Sequence, residues 1–351
     1  MKKLLLIILI VFSSVYLKAN SNLDSLYNIW QDEKISDTIR AKALQIYIYD
    51  GFLKSSPDSA FILAQNLLSF GNEKKYIQAK AIAYFIMGRI NKLKFNYSKA
   101  IDCYIRCLKI EQEVRDKKGS ANTMINIGNI YLNQGNFKKA LQYYQNSLEI
   151  KEEIDDKLGV SQIFNVFGNI YREQKEYSKA LDYYQQSLKI TEKIGDKRDI
   201  AYISNNIGIF YQQQDDYQKA LKFFERSLEI KEEINDKMGV GITLHNIGIL
   251  YHQNKINVPK ALEYFQRSLE IEKEIGDKLG ISTTSNSIGN ICLEQGNYSK
   301  ALKYCKRALN ISQEIGALLD EKDACECLYE TYKAQGNANE ALVYIEKIQI
   351  I

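Results

Sequence analysis

Two histidines, six cysteines and a recurring asparagine-glycine phrase are the residues of this 351-residue chain whose types and spacing could do chemistry. His245 and His252 stand seven apart, so on a helix they would share a face. No cysteine or carboxylate pair lies near them at ligand spacing, so a helix-surface pair is expected rather than a metal site. The phrase is "NIGNIYLNQGNFKKAL", residues 126 to 141, and close copies return at residues 166, 206, 246 and 287. A dinucleotide or phosphate loop needs three spaced glycines after a strand, whereas "NIGNIY" sits in mid-helix with no strand before it. No nucleophile with a base beside it emerges, so neither a catalytic residue nor a cofactor is expected and the chain reads as non-enzymatic.

The cysteines divide by position. Cys107, Cys292 and Cys305 stand where packing residues belong, Cys103 shares a helix with Cys107, and Cys325 and Cys327, two apart, point to opposite sides of a helix. Buried thiols are the main reading. A disulfide from Cys305 to Cys292 or Cys325 is the alternative, since an exported protein can oxidise its cysteines.

Elements that could position these residues follow from composition. Only Pro57 and Pro259 interrupt a chain rich in Leu, Ile, Lys, Glu, Gln and Tyr, which favours an all-α fold. The 47 Lys and Arg and 43 Asp and Glu are interleaved, unlike the basic stripe with which a protein displaces counterions from a nucleic acid. No nucleic-acid partner is therefore expected. The start, "MKKLLLIILIVFSSVYLKAN", has the charged, apolar and small-residue order of a secretory signal covering 1–19, with cleavage near Ala19. Its apolar run, Leu4 to Phe12, is short for a span, and no later segment approaches transmembrane length. The expectation is an exported protein, periplasmic or secreted, with no stable membrane span after cleavage. Retention of the signal would leave it membrane-anchored.

The chain repeats. Gly88, Gly128, Gly168, Gly208, Gly248 and Gly289 are spaced by forty, with one step of forty-one, and an alanine follows twelve residues after each except Gly248. There Ala261 comes one residue late, after "HQNKINVPKAL", which reads as a longer loop ahead of a helix begun by Pro259. Ala60, Ala100, Ala140, Ala180, Ala220, Ala261, Ala301 and Ala341 then mark eight units, with atypical ends. The boundaries read as a degenerate hairpin over 20–75, six tandem units over 76–316 and a last hairpin over 317–351.

Each unit is a helical hairpin. Met124, Ile127, Gly128 and Tyr131 share one helical face, "NQGNF" breaks the helix at Gly135, and Ala140, Tyr144 and Ser147 begin a second apolar face. At the joints, Asp155, Gly195, Asn235 and Gly276 stand where a left-handed residue ends a helix. Asp156, Asp196, Asp236 and Asp277 stand where an N-cap begins the next. Arg115, in the equivalent "VRDKKG", does not fit this rule.

Gly128, Tyr131, Ala140, Tyr144 and Ser147, with Gly168, Tyr171, Ala180, Tyr184 and Ser187 and then Gly208, Tyr211, Ala220, Phe224 and Ser227, occupy the eighth, eleventh, twentieth, twenty-fourth and twenty-seventh places of a tetratricopeptide repeat, which the chain resembles in phase over most of its length. It departs from the usual 34-residue period, since the second helix runs on through "SLEIKEEI" to fill forty, as in kinesin light chain, the Leu-Gly-Asn adaptors and Rap regulators. The resemblance implies a right-handed superhelical solenoid of about eight hairpins that binds a protein or peptide and performs no chemistry. It also implies that the first helix of each hairpin lines the groove with its second, fifth, sixth, ninth and thirteenth places. Those places hold Asn126, Asn129, Asn165, Asn169, Asn205, Asn206, His245, Asn246, Asn286 and Asn290, the candidate peptide-binding residues. Asparagine is a middling helix former, so propensity does not explain its recurrence. Either these amides bond to one another across the stack, or they grip the backbone of an extended peptide. Gln212, Gln213, Gln253, Arg172, Glu173 and Glu294 extend the polar wall. Basic residues are scarce there, against the lysine and arginine clamp by which some relatives hold a terminal carboxylate.

The C-terminal "LVYIEKIQII" sets Ile345 and Ile348 on a buried face and leaves Ile350 and Ile351 as an apolar tip, a docking end for a partner or a second copy. Two functions remain open: an interaction scaffold with a peptide groove, or a regulatory sensor acting through this tip.

Overall fold

The computed structural model describes residues 23–254 and 257–351; the expected signal over 1–19 and part of the longer loop before Pro259 lie outside the described residues. Among the described residues there are seventeen α-helices, one π turn and no strand, in two compact units divided between Val160 and Ser161.

The first unit opens with α1 (Leu23–Gln31), α2 (Asp37–Tyr47), a π turn (Ile48–Phe52) and α3 (Pro57–Glu73). The segment read as a single degenerate hairpin thus holds three helices, packed through Trp30, Leu44, Ile48, Leu67 and Phe70. Arg40 is buried here, its Nε donating to the Trp30 carbonyl and its guanidinium lying over the Trp30 and Phe70 rings. Regular pairs follow: α4 (Ile77–Leu93) with α5 (Tyr97–Glu113), then α6 (Lys117–Asn133) with α7 (Phe137–Glu153). Antiparallel pairing is read from the contacts, which run in opposite directions along the two helices. Asn122 meets Lys151, and further along Asn129 meets Tyr144.

The second unit continues from α8 (Lys157–Glu173), which begins just before its boundary, and α9 (Tyr177–Ile194). It carries on with α10 (Lys197–Gln213), α11 (Tyr217–Glu233), α12 (Lys237–Gln253), α13 (Val258–Ile275), α14 (Lys278–Glu294), α15 (Tyr298–Ile315), α16 (Leu318–Ala334) and α17 (Ala338–Ile350). First helices alternate with second helices, and within this unit α10, α12, α14 and α16 also touch in sequence.

The repeated residues have physical roles. At the eighth place the absent side chain admits an aromatic ring: a Cβ on Gly168 would lie 2.5 Å from Tyr184, and one on Gly128 would lie 3.1 Å from Tyr144. Serine at the twenty-seventh place is more than small. Ser147, Ser227 and Ser268 donate to the Ala121, Ala201 and Gly241 carbonyls of the first helix, tying the hairpin where the helices cross. Outside, Tyr131 stacks on Tyr143, Tyr171 on Tyr183, Tyr211 on Phe223 and Tyr251 on Tyr264.

The joints follow the capping chemistry. Asp116, Asp156, Asp196, Asp236 and Asp277 each accept from the backbone N–H three residues on. Arg115 is no exception in geometry: at φ 58° it takes the same left-handed conformation as Asp155 and Asn235. The Asp116 cap and the hydrogen bond from Asp116 N–H to the Glu111 carbonyl hold it there against a cost of about 1 kcal/mol.

The forty-residue register also buries charge. Glu111, Lys151, Lys231 and Glu272 share one place near the end of the second helix, each no more than 8% exposed. Lys151 is paired with Asp156 at 2.7 Å. Lys231 donates to the Thr243 hydroxyl, and burial pulls its pKa down to about 8.

Candidate functional site

The asparagines of the first helices fall into three groups, sorted by what faces them. At the ninth place, Asn129 and Asn169 accept from the buried Tyr144 and Tyr184 hydroxyls, both at 2.7 Å. Each phenol is excluded from water and needs an acceptor. Where the twenty-fourth place is Phe224 or Phe265, the ninth is Ile209 or Ile249, so in these four units amide and phenol come and go together, whereas Tyr104 stands with Arg89 and its buried hydroxyl has no hydrogen-bond partner among the described residues. That coincidence is legible in the sequence alone. Asn290 departs from it: its unit has Cys305 at the twenty-fourth place, so no phenol is there to be served.

At the fifth and sixth places the amides form rungs between hairpins. Asn206 donates to Asn165 Oδ1 at 3.0 Å, joining α10 to α8, and Asn246 donates to Asn205 Oδ1 at 3.1 Å, joining α12 to α10. The sixth place of one unit thus donates to the fifth place of the unit before. Asn126, whose counterpart in the preceding unit is Phe85, turns back to the Asn122 carbonyl of its own helix.

The third group is where the ladder fails. Ser287 stands at the sixth place after His245, but its hydroxyl donates to the Thr283 carbonyl, and His245 Nδ1 instead meets Thr284 Oγ1 at 2.9 Å. Asn286 should receive a donor from the sixth place of the next unit, which holds Cys327. Its Oδ1 is buried and has no hydrogen-bond partner among the described residues. Asn286, Asn290 and His245 together line a cleft of about 470 Å³ between α12, α14 and α16.

Two sequence expectations change at this cleft. His245 is not a surface histidine: its ring packs at 5.1 Å from Phe265, and burial lowers its pKa to about 4, so it is neutral at pH 7. His252 is bound elsewhere, 2.8 Å from Glu294 Oε2. The disulfide is Cys305–Cys327, not Cys305 with Cys292 or Cys325. Cys325 and Cys327 do lie on different sides of α16, but the side turned toward α15 is that of Cys327. Gly289 makes room for the bridge, since a Cβ there would sit 2.3 Å from Cys305 Sγ and 3.3 Å from Cys327 Sγ. The other four cysteines are free and buried.

Sequence reasoning missed the opposite wall. Asp320, Asp323, Glu326 and Glu330 of α16 face the cleft, and their spacing of three, three and four residues was the available signal. Burial and the like charges of Glu326 and Asp320 raise the Asp323 pKa. Among the described residues, no three His, Cys, Asp or Glu side chains gather closely enough to hold a metal ion, and no helix is long and apolar enough to cross a membrane. At the C-terminal end Ile348 packs into the last core and Ile350 is 85% exposed.

Helical hairpins in a forty-residue register, with small residues where they cross and a polar wall of first helices, define an all-α repeat array. The family model for the tetratricopeptide repeat matches residues 79–153, 119–193, 199–255 and 257–314, more than half of the chain, and the chain belongs to that family. No curated protein matches the sequence. Among solved structures it is similar to aspartyl phosphate phosphatase F from Bacillus subtilis, with TM-score 0.65 and 15% identity over 93% of this chain and 92% of that one. It is similar also to a Rap protein complexed with competence and sporulation factor, with TM-score 0.61 and 16% identity over 93% and 95%. A third is the apo quorum sensor NprR from B. thuringiensis, with TM-score 0.63 and 14% identity over 90% and 88%. At these identities the likeness is one of fold.

Proposed function

We propose that this chain is a non-enzymatic interaction array whose first helices hold an extended peptide or protein segment. The observation that carries the proposal is the break in the ladder: a cleft lined by His245, Asn286 and Asn290, where the buried Asn286 amide oxygen has no hydrogen-bond partner among the described residues. An unpaired buried acceptor costs about 1–3 kcal/mol, a cost that a donor brought by a ligand would remove. The rungs from Asn206 to Asn165 and from Asn246 to Asn205 fix the wall of first helices before a ligand arrives. The Rap neighbour's structure with a signalling factor supports a peptide as ligand. In this proposal Asn129 and Asn169 are structural and Asn126 is peripheral.

A regulatory sensor is the second reading, favoured by the exposed Ile350 and Leu342 of α17 and by the quorum-sensing neighbour. The N-terminal sequence supports action outside the cytoplasm after removal of residues 1–19, which N-terminal sequencing of the mature protein tests. The groove is tested by peptide capture from the same compartment, comparing wild type with the combined Asn165→Ala, Asn205→Ala and Asn286→Ala variant. Loss of the captured peptides by a folded variant supports the proposal, and full retention refutes it.

A further inference from the structure

The charged wall of the α12–α14–α16 cleft, on α16, presents acceptors. His245 Nδ1 lies 2.9 Å from Thr284 Oγ1, which is in turn 2.8 Å from Glu272 Oε1, so this ring nitrogen is taken up within the wall. The hydroxyl protons beside it are also committed, Thr283 donating to Asp320 Oδ1 at 2.7 Å and Ser287 to the Thr283 carbonyl at 3.2 Å. Asn286 Oδ1 is buried without a donor among the described residues. Facing these groups are the carboxylates of Asp320, Asp323, Glu326 and Glu330. Two lysines of α16 itself pair with this wall, Lys322 at 4.0 Å from Glu326 and Lys333 at 3.5 Å from Glu330, in exposed pairs of little strength. The cleft is also closed at one side by Cys327, held in its bridge to Cys305, so the donor that the ladder would supply to Asn286 is absent by construction.

We infer that this cleft receives a cationic, N–H-rich segment: a peptide whose lysine or arginine side chain meets the α16 carboxylates while another of its N–H groups meets Asn286 Oδ1. The inference rests on the peptide-groove reading and narrows it to a ligand class. An anionic segment would bring a fifth negative charge against four. A neutral apolar segment would leave the Asn286 amide oxygen unpaired. Arginine suits the site especially well, because its planar fork carries five donors and binds a carboxylate with two parallel bonds.

The test is panning of a random heptapeptide phage library on the purified full chain, followed by fluorescence anisotropy of the most enriched peptide. The expected result is enrichment of lysine or arginine. Replacing the arginines of the winning peptide by neutral citrulline should weaken binding about tenfold or more, since a partly desolvated charge pair is lost. A variant carrying Asp323→Asn, Glu326→Gln and Glu330→Gln should bind the arginine peptide about tenfold more weakly and the citrulline peptide unchanged. The citrulline arm needs no change in the protein, so it decides the matter even where the triple variant does not fold. Enrichment of neutral or acidic peptides that compete with one another for the chain and lose binding on Asn286→Ala would overturn the cationic ligand class and leave the peptide groove standing. No enrichment above a bare-surface control would overturn both.

Discussion

The rung between Asn205 and Asn246 gives the sharpest energetic prediction. Asn205 is 5% exposed, and its Oδ1 accepts from Asn246 Nδ2 at 3.1 Å, with Thr243 Oγ1 more distant at 3.4 Å. Asn205→Ala removes the acceptor and strands an amide donor in a half-buried site, at about 1–3 kcal/mol. Asn246→Ala removes the donor and leaves Asn205 with the longer Thr243 contact, at about 1 kcal/mol. Each change also replaces asparagine by a better helix former, a gain of about 0.5 kcal/mol that cancels in a double-mutant cycle. The double variant should therefore be less destabilised than the sum of the two by about 1 kcal/mol. Urea denaturation of the four proteins followed by far-UV circular dichroism measures the coupling. Hydrogen exchange over α10 and α12 checks that the loss is local, as expected of a repeat array. A coupling within about 0.3 kcal/mol of zero would mean that the rung contributes nothing net and that the amides are not what ties these hairpins together.

Three further outcomes follow from the same packing. Gly168→Ala drives a methyl to 2.5 Å from the buried Tyr184 ring, whereas Gly128→Ala meets Tyr144 at 3.1 Å; helix propensity favours both equally, so the former should be the less stable by about 1–3 kcal/mol in thermal melts, and equal stability would refute the reading. Lys231, pulled down to about 8, loses its proton in the folded state while the unfolded chain keeps it up to about 10.4. Burying the charge thus costs on the order of 3 kcal/mol below pH 8, and the cost fades as pH rises through that window. Lys231→Met should be more stable than wild type by about 2 kcal/mol at pH 7 and by progressively less toward pH 10; a variant less stable at pH 7 would contradict this. Thiol labelling under denaturing, non-reducing conditions should count four free cysteines, with Cys305 and Cys327 recovered as one linked peptide after proteolysis; a link from Cys305 to Cys292 or Cys325 would contradict it.

Most of the fold was legible because packing and capping act at short range. Glycine, alanine and serine at fixed places dictate where two helices cross, and an aspartate after a left-handed residue dictates where the next begins. Arg115 resisted that reading because its conformation is imposed by the Asp116 cap rather than chosen by its own side chain. The site was legible in part. Composition found the asparagines, yet their roles depend on which residue another unit brings opposite each one. Asn129 and Asn169 are claimed by tyrosines, a pairing visible in the sequence once Ile209 and Ile249 are seen beside Phe224 and Phe265. Cys327 could not be matched to Cys305, nor α16 to the cleft, from spacing within one helix, because the rotation of α16 against α15 is set by packing across the pair.

The most direct test of the central claim is hydrogen–deuterium exchange of the full chain with and without the best peptide from the panning. Binding along the first helices predicts protection in α12, α14 and α16, centred on residues 283–290, with α13 and α15 unchanged. Protection confined to α13, α15 or the α17 tip would contradict it.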